Sequence, residues 1–269
     1  MTPSRGGCRG RGIRRDREAN EMTRRRMVLS GFGVAAALAL ALAGCATPAG
    51  TGGTGGATTE PAPAPDASAP VAVEVDAAWL DDGRSIGIVT QGSSTCIPMA
   101  EEPTFADGVL TVTLVEPENT ACTRDLVPRV SLVGVPEGVD PAEDLDIVVT
   151  GEGYQGEVEL DGVTGLAGPG GETQYAPSAG WTGTDGQFVI LTWGSSSCPP
   201  VFQEVVAAGP AEVTATAEEP PADQVCTMDM APRAAVLVVD GVEADDGVEL
   251  VITGSPEFAD ARTPILGSN

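Results

Sequence analysis

The strongest constraint on the fold of this chain is an internal repeat, because one cysteine-containing pattern occurs twice. The pattern Gly-Ser-Ser-x-Cys ends at Cys96 and again at Cys198, 102 positions later. The pattern Cys-Thr-x-Asp-x-x-Pro-Arg begins at Cys122 and again at Cys226, 104 positions later. Two copies of nearly equal length, each of ordinary domain size, indicate a duplicated structural unit. We therefore expect one fold to occur twice.

Short runs of β-branched and apolar residues fill both copies and are separated by Asp-Gly turn signals. No stretch after Cys45 has a convincing helical period. The expected strands are Ser85 to Thr90, Val109 to Val115, Val130 to Val133, Leu145 to Thr150, Gln155 to Leu160, Phe188 to Trp193, Ala211 to Ala217, Ala234 to Val239, Val248 to Thr253 and Ala261 to Leu266. The pattern predicts an all-β chain with two tandem small β-sandwich modules, immunoglobulin-like or barrel-like. Their expected ranges are 71–165 and 177–269, joined by a linker over 166–176.

Four cysteines follow Cys45, and four cysteines allow three disulfide pairings. Since each copy of a duplicated module should carry its own bridge, the repeat favours Cys96–Cys122 and Cys198–Cys226. A metal site would favour closely spaced Cys or Cys with His, and a redox pair would favour Cys-x-x-Cys. The sequence has neither arrangement among these four residues.

The N-terminal 44 residues have the composition of a targeting segment. Three arginines, Arg24-Arg25-Arg26, precede an apolar stretch from Met27 to Ala43 that ends in Leu42-Ala43-Gly44-Cys45. This end resembles the lipobox of bacterial lipoproteins. The resemblance implies cleavage before Cys45, a diacylated Cys45 and a protein held on the extracytoplasmic face of the membrane. An uncleaved transmembrane helix is the alternative, although the apolar run is only marginally long enough to span a bilayer.

Two further expectations concern the same end of the chain. Residues 1–21 have no place in such a signal, so translation is expected to start at Met22 or Met27. The arginine pair before Met27 also resembles a twin-arginine export signal, so the export route stays open between Sec and twin-arginine transport. Residues 46–70 are rich in Gly, Thr, Pro and Ala, which predicts a disordered tether between the lipidated cysteine and the first module.

Charge excludes one class of partner. From residue 46 onward the chain has 36 acidic residues against 5 arginines, a net charge of −31, and the whole sequence has no Lys and no His. Such a surface repels phosphate groups, so nucleic acid is not an expected partner. The serines before Cys96 and Cys198 have no His or Lys to act as a base, and are therefore interpreted as turn residues.

Two residues of the second cysteine pattern recur in both copies as a structural motif. Asp125 with Arg129, and Asp229 with Arg233, have the same spacing. We expect the aspartate to cap a turn, and the arginine to pair with it or with a backbone carbonyl.

The three tryptophans divide into a matched pair and one without a counterpart. Trp79 and Trp181 lie 102 positions apart, so each is expected to anchor the core of its module. Trp193 has no match, because Gln91 occupies the equivalent position. Trp193 is therefore the first candidate for ligand binding, with Tyr154 as a weaker one. No metal or other cofactor is expected, because the acidic turn from Asp240 to Gly247 lacks the spacing of an EF-hand loop.

The two cysteine patterns, together with the lipobox, resemble small high-GC actinobacterial surface lipoproteins of unassigned role. The resemblance implies an envelope location and a β fold, and supplies no catalytic residue. The leading hypothesis is a non-enzymatic binding or structural role, with another envelope protein as the partner. The alternative is binding of cell-wall glycan or a small ligand through Trp193. A hydrolase that uses a pair of carboxylates is the third hypothesis, for which no motif singles out a pair.

Overall fold

The structure is a computed structural model that describes residues 71–151, 154–258 and 260–269. The predicted signal peptide, Cys45 and the predicted tether lie outside the described residues. Within the described ranges the chain is all-β, with sixteen strands and one short 3₁₀ turn, Asp81–Gly83. The all-β prediction is confirmed. No helix in this part of the chain is long and apolar enough to cross a membrane.

The first repeat supplies nine strands. They are β1 (Val71–Ala72), β2 (Val75–Leu80), β3 (Ser85–Gly92), β4 (Met99–Ala100), β5 (Thr104–Ala106), β6 (Val109–Val115), β7 (Val127–Gly134), β8 (Leu145–Gly151) and β9 (Tyr154–Leu160). In β6 Leu110, Val112 and Leu114 are buried and the residues that alternate with them are half-buried, so this strand matches the predicted range and alternation. Strands β2, β3 and β7 form one sheet, and the order β1-β9-β8-β6-β4 forms another, with β5 also paired to β6.

The second repeat supplies seven strands. They are β10 (Ser178–Trp181), β11 (Gln187–Gly194), β12 (Phe202–Gly209), β13 (Glu212–Ala217), β14 (Ala231–Val238), β15 (Glu249–Thr253) and β16 (Arg262–Leu266). Here a short parallel pairing of β10 with β16 joins all seven strands into one sheet, in the order β12-β13-β15-β16-β10-β11-β14. All ten predicted strands are present, whereas the sequence did not predict β1, β2, β4, β5, β10 or β12.

Each repeat encloses its own hydrophobic core. Trp79 is 1% exposed and lies in the first core, where its indole Nε1 donates to the carbonyl of Asp161 at 2.9 Å. Trp181 is 3% exposed and lies in the second core, edge-on to Phe188. The two tryptophans occupy equivalent places, as a duplicated unit requires.

A third hydrophobic layer joins the repeats. It packs the outer face of β2, β3 and β7 against that of β10, β11 and β14, and its buried members are Ala78, Leu80, Val89, Val130, Val189 and Leu191. Strands β3 and β11 are consequently buried on both faces. The sheets form one continuous stack, an arrangement of the two repeats that the sequence had left open.

The strands that cross at this layer run in opposite directions. Thr184 Oγ1 donates to Asp76 at 2.8 Å, and the backbone N–H of Asp81 donates to Ser178 Oγ at 2.9 Å. Residue numbers thus increase along β2 in the direction in which they decrease along β10. Because β3 and β11 are antiparallel to β2 and β10, the cysteine loops that follow β3 and β11 lie at opposite ends of the stack.

The predicted linker is held against the first repeat. The backbone N–H groups of Gly168 and Ala167 donate to the carbonyl and the carboxylate of Asp82, at 3.1 and 3.2 Å. Thr173 Oγ1 donates to Asp81 at 3.0 Å. These bonds fasten both ends of the segment to the turn after β2.

Candidate functional site

The cysteine loops carry the repeated motifs, and both predicted disulfides are confirmed. Cys96 is bonded to Cys122 and Cys198 to Cys226, with Cα–Cα distances of 5.5 and 5.6 Å. Each bridge ties the segment after β3 or β11 to the segment before β7 or β14. The loops therefore project from paired strands of a buried sheet and are fixed at their base.

A network of hydroxyls orders the first loop. The backbone N–H of Thr123 donates to Thr95 Oγ1 at 3.1 Å, and Ser93 and Thr123 share a hydroxyl hydrogen bond of 2.8 Å. Asp125 accepts from Thr123 Oγ1 and from the backbone N–H of Ser94. Hydrogen bonding by Ser94, and then by Thr123, lowers the pKa of Asp125 from 3.8 to about 2, because both stabilise the carboxylate.

The second loop repeats this network with different side chains. Thr227 donates its backbone N–H to Ser197 Oγ at 3.0 Å, so a serine replaces the threonine of the first loop. Asp229 accepts from the backbone N–H of Ser196 at 3.1 Å and from Thr227 Oγ1. Hydrogen bonding by Ser196, and then by Thr227, lowers the pKa of Asp229. The repeated serines thus order turns, and no Lys or His is present to activate them.

The repeated arginines hold the cysteine loops in place through their buried guanidinium groups. Arg129 is 9% exposed, donates Nη1 to the carbonyl of Cys96, and pairs with Glu116 through Nη2 at 2.7 Å. Its guanidinium lies against the backbone of Gly92, where a Cβ would come within 2.4 Å of the Arg129 Cζ atom. Gly92 therefore leaves the space that the guanidinium of Arg129 occupies, and a side chain at position 92 would fill it.

Arg233 makes an equivalent contact with a different carboxylate. It donates Nη1 to the carbonyl of Cys198 at 3.1 Å and Nη2 to the carbonyl of Trp193 at 2.9 Å. Its ion-pair partner is Glu257, in the turn after β15. In both copies the arginine thus binds a backbone carbonyl, one of the two expected alternatives, and its carboxylate partner is not the motif aspartate.

Trp193, the first ligand-binding candidate, lies in the layer between the repeats. It is half-buried, packs against the residues of that layer, and meets Tyr175 edge-on at 5.2 Å between ring centroids. Its Nε1 is buried and has no hydrogen-bond partner among the described residues. Tyr154 begins β9, and its side chain lies outside the described part of the structure.

A groove of about 310 Å³ opens beside the second disulfide. Its apolar walls are formed by Pro199, Pro200, Val201, Pro220, Pro221 and Phe258. Arg233, Glu257, Glu218 and Glu219 also line it. The sequence did not predict this groove, although the Pro-Pro pairs at 199–200 and 220–221 mark both of its walls.

The loops around the groove expose large apolar side chains. Val225 is 91% exposed and Met228 is fully exposed, and Met230 and Val201 are exposed as well. In the first repeat Ile97, Leu126 and Met99, which begins β4, are exposed as well. An apolar surface next to a groove is a common property of binding sites.

Neither metal-ligand chemistry nor similarity to a known protein indicates the function of this chain. In the described ranges, no group of three or more His, Cys, Asp or Glu side chains is arranged to hold a metal ion. The sequence matches no protein-family model, no curated protein and no solved structure. The function is therefore inferred from the groove, the cysteine loops and the surface around them.

Proposed function

We propose that this chain is a binding protein of the cell envelope that contacts another protein through the second cysteine loop and its groove. The observation that carries the proposal is the exposure of Val225, Met228 and Met230, in the segment of chain whose Gln224, Cys226 and Arg233 line the groove. Apolar side chains held in water gain free energy when a partner covers them, at roughly 25 cal/mol per Å² of area removed from water. The disulfide and the hydroxyl network hold the loop in place, which lowers the entropic cost of binding.

The proposal also covers the cellular location and the domain organisation of the protein. The lipobox resemblance at Leu42-Ala43-Gly44-Cys45 supports lipid attachment on the extracytoplasmic face, with residues 46–70 as the tether. The repeated strands and disulfides support two sandwich-like modules from one ancestral unit. Disulfides persist outside the cytoplasm, which fits the same location.

A non-enzymatic role fits the chemistry of the groove better than hydrolysis does. Proton transfer by carboxylates at neutral pH needs one carboxyl group with a raised pKa. The pKa values of Asp125 and Asp229 are lowered, which makes neither of these repeated aspartates suitable as that acid. Glycan binding is kept as an outcome of the test.

The test compares two loops of the same protein. The full chain is cross-linked in an envelope extract, and the captured proteins and glycans are both identified. Met230→Asp introduces a charge into the apolar surface beside the groove, whereas Leu126→Asp makes the same change at the equivalent position of the first loop.

We expect Met230→Asp to abolish capture of one protein that the unchanged chain and Leu126→Asp both retain. Equal capture by all three chains would overturn the proposal, and so would equal loss from both variants. Capture of wall glycan alone would replace it with the glycan alternative.

A further inference from the structure

The two repeats neutralise their buried arginines differently, and the difference lies at the groove. Thr113 bonds to Thr150 across β6 and β8, and Thr216 bonds to Thr253 across β13 and β15, each at 3.3 Å between hydroxyl oxygens. These pairs align the copies with an offset of 103, which makes Glu219 the equivalent of Glu116.

In the first repeat the residue at this position forms an ion pair. Glu116 lies over Arg129 and accepts from Nη2 at 2.7 Å. In the second repeat the pairing comes from Glu257 instead. Glu219 is exposed, lines the groove, and forms no hydrogen bond or ion pair with any residue in the described ranges.

The groove therefore has a surplus of negative charge. Glu218, next to Glu219, is also exposed and lines the groove without a cationic partner among the described residues. Arg233 is 7% exposed, and its charge is compensated by Glu257. The three carboxylates and the one guanidinium that line the groove leave an excess of negative charge, which favours a cation over an anion.

The walls fit a long side chain with a charged end. Four prolines, Val201 and Phe258 supply rigid apolar contact along the groove. Its volume of about 310 Å³ is at the small end of the range for ligand sites, which suits a side chain or a few residues of an extended segment. Arg and Lys have such a form, since their apolar stems pack along hydrophobic surface while the charged head stays near water.

We propose that the groove binds an arginine or lysine side chain presented by an extended segment of the partner protein. The stem lies along the proline walls, and the cationic head pairs with Glu218 and Glu219 at the rim. This inference rests on the proposed function, because it names the part of the partner that enters the groove. A net charge of −31 from residue 46 onward favours approach of a basic partner over longer range.

The test uses a defined probe and a charge-matched control. The probe is the capped tripeptide acetyl-Gly-Arg-Gly-amide, compared with the same peptide that carries neutral citrulline. Binding to the full chain is measured by ligand-observed NMR. The variant Glu218→Gln/Glu219→Gln removes both carboxylates, and Glu101→Gln/Glu102→Gln removes two exposed carboxylates of the first repeat.

We expect saturable binding of the arginine peptide, weakened about fivefold by Glu218→Gln/Glu219→Gln and less than twofold by the control, since each exposed ion pair contributes little. Raising the salt concentration to 1 M should weaken binding in the same way. Equal weakening by both variants, equal binding of the citrulline peptide, or no saturable binding would overturn the inference.

A second readout separates this inference from the proposed function. If Met230→Asp abolishes protein capture while Glu218→Gln/Glu219→Gln does not change it, the partner surface is correct and the cationic occupant is wrong. If neither variant changes capture, the proposed function itself fails.

Discussion

The two repeats share one scaffold and differ where it meets solvent. Both have a disulfide, a hydroxyl network around an aspartate and a buried arginine below the loop. The first repeat covers its arginine with Glu116 from the end of β6, whereas the second recruits Glu257 from the turn after β15. The comparison teaches that a duplicated fold can keep its covalent and buried parts while the ion pair over the buried arginine changes.

The repeats also differ where they meet each other. Ala78 and Gly180 are equivalent positions, 102 apart, at the crossing of β2 and β10. A Cβ at Gly180 would lie 2.2 Å from the carbonyl oxygen of Trp79, whereas Ala78 has a Cβ and is fully buried. The internal interface is thus approximately two-fold, and at this crossing the smaller residue of the pair allows the close approach.

The largest expected effect comes from the disulfides, which should stabilise both repeats similarly. Bridges that span 26 and 28 residues contribute about 3.5 kcal/mol each in the loop-entropy model. We expect Cys198→Ala/Cys226→Ala to lower the free energy of unfolding by about that amount. Cys96→Ala/Cys122→Ala should cost more, because Cys96 is 1% exposed and its removal also leaves a cavity. Urea unfolding of both variants measures the difference, and a larger loss in the second repeat would contradict it.

The next effect tests the crossing of the repeats. Gly180→Ala should destabilise the chain by about 2–3 kcal/mol, since the new methyl group meets backbone that cannot move alone. Ala78→Gly, the reciprocal change, should cost about 1 kcal/mol from lost burial and added chain entropy. Thermal unfolding compares the two. Equal losses would mean that the interface is not as asymmetric as the crossing distance indicates.

A smaller effect concerns the buried arginines. Arg129→Met removes the bonds to the Cys96 carbonyl and to Glu116, and should cost about 2 kcal/mol. Arg233→Met should cost less, because Glu257 is 41% exposed and the Arg233 Nε has no partner among the described residues. Urea unfolding checks the order of the two losses, and the reverse order would show that Glu257 is the stronger partner.

Acid should destabilise both cysteine loops, with a smaller effect than the substitutions above. The folded-state pKa of Asp125 is about 2, below its ordinary value of 3.8, so its stabilising effect is complete above about pH 4 and is lost as the pH falls through about 2. Asp125→Asn should therefore flatten the dependence of Tm on pH between 4 and 2. Because the pKa of Asp229 is lowered in the same direction, Asp229→Asn should do likewise. An unchanged slope in both variants would mean that the hydroxyl network does not stabilise the carboxylates.

The sequence predicted most strands and both disulfides, because these follow from local pattern and from the repeat. It missed β2, with the sequence Val-Asp-Ala-Ala-Trp-Leu, and β10, with Ser-Ala-Gly-Trp, since small residues that permit close crossing have low strand propensity. The contact between the repeats was left open, although β11 reads Phe-Val-Ile-Leu without alternation. Such a run is typical of a strand that is buried on both faces.

The groove could not be predicted in the same way. It depends on which acidic residue reaches Arg233, and with 36 acidic residues after position 45 the sequence does not single out Glu257. That choice depends on how the turn after β15 lies over the end of β11, which is a long-range property of the fold. The prolines at the two walls become informative only once the loops are known to face each other.

The smallest expected effect concerns the outer sheet faces. In the second repeat Arg262 lies between Glu212 and Glu249, and hydrogen bonding by Glu249, and then by Glu212, raises its pKa. Strand pairing opposes Val251 to Arg262, and it opposes the equivalent Val148 to Glu157. The first repeat thus has an acidic residue where the second has its cation, beside Asp146.

Glu157→Arg should therefore raise Tm by about 1–2 °C at low salt, because it replaces repulsion on this face with an exposed ion pair. The gain should disappear in 1 M salt, where charges on the surface are screened. Arg262→Glu is the matched reciprocal change, and it should lower Tm under the same low-salt conditions. If Glu157→Arg lowered Tm instead, contacts other than charge would stabilise the acidic face. The two sheet faces would then be equivalent in their backbone register but not in their side-chain energetics.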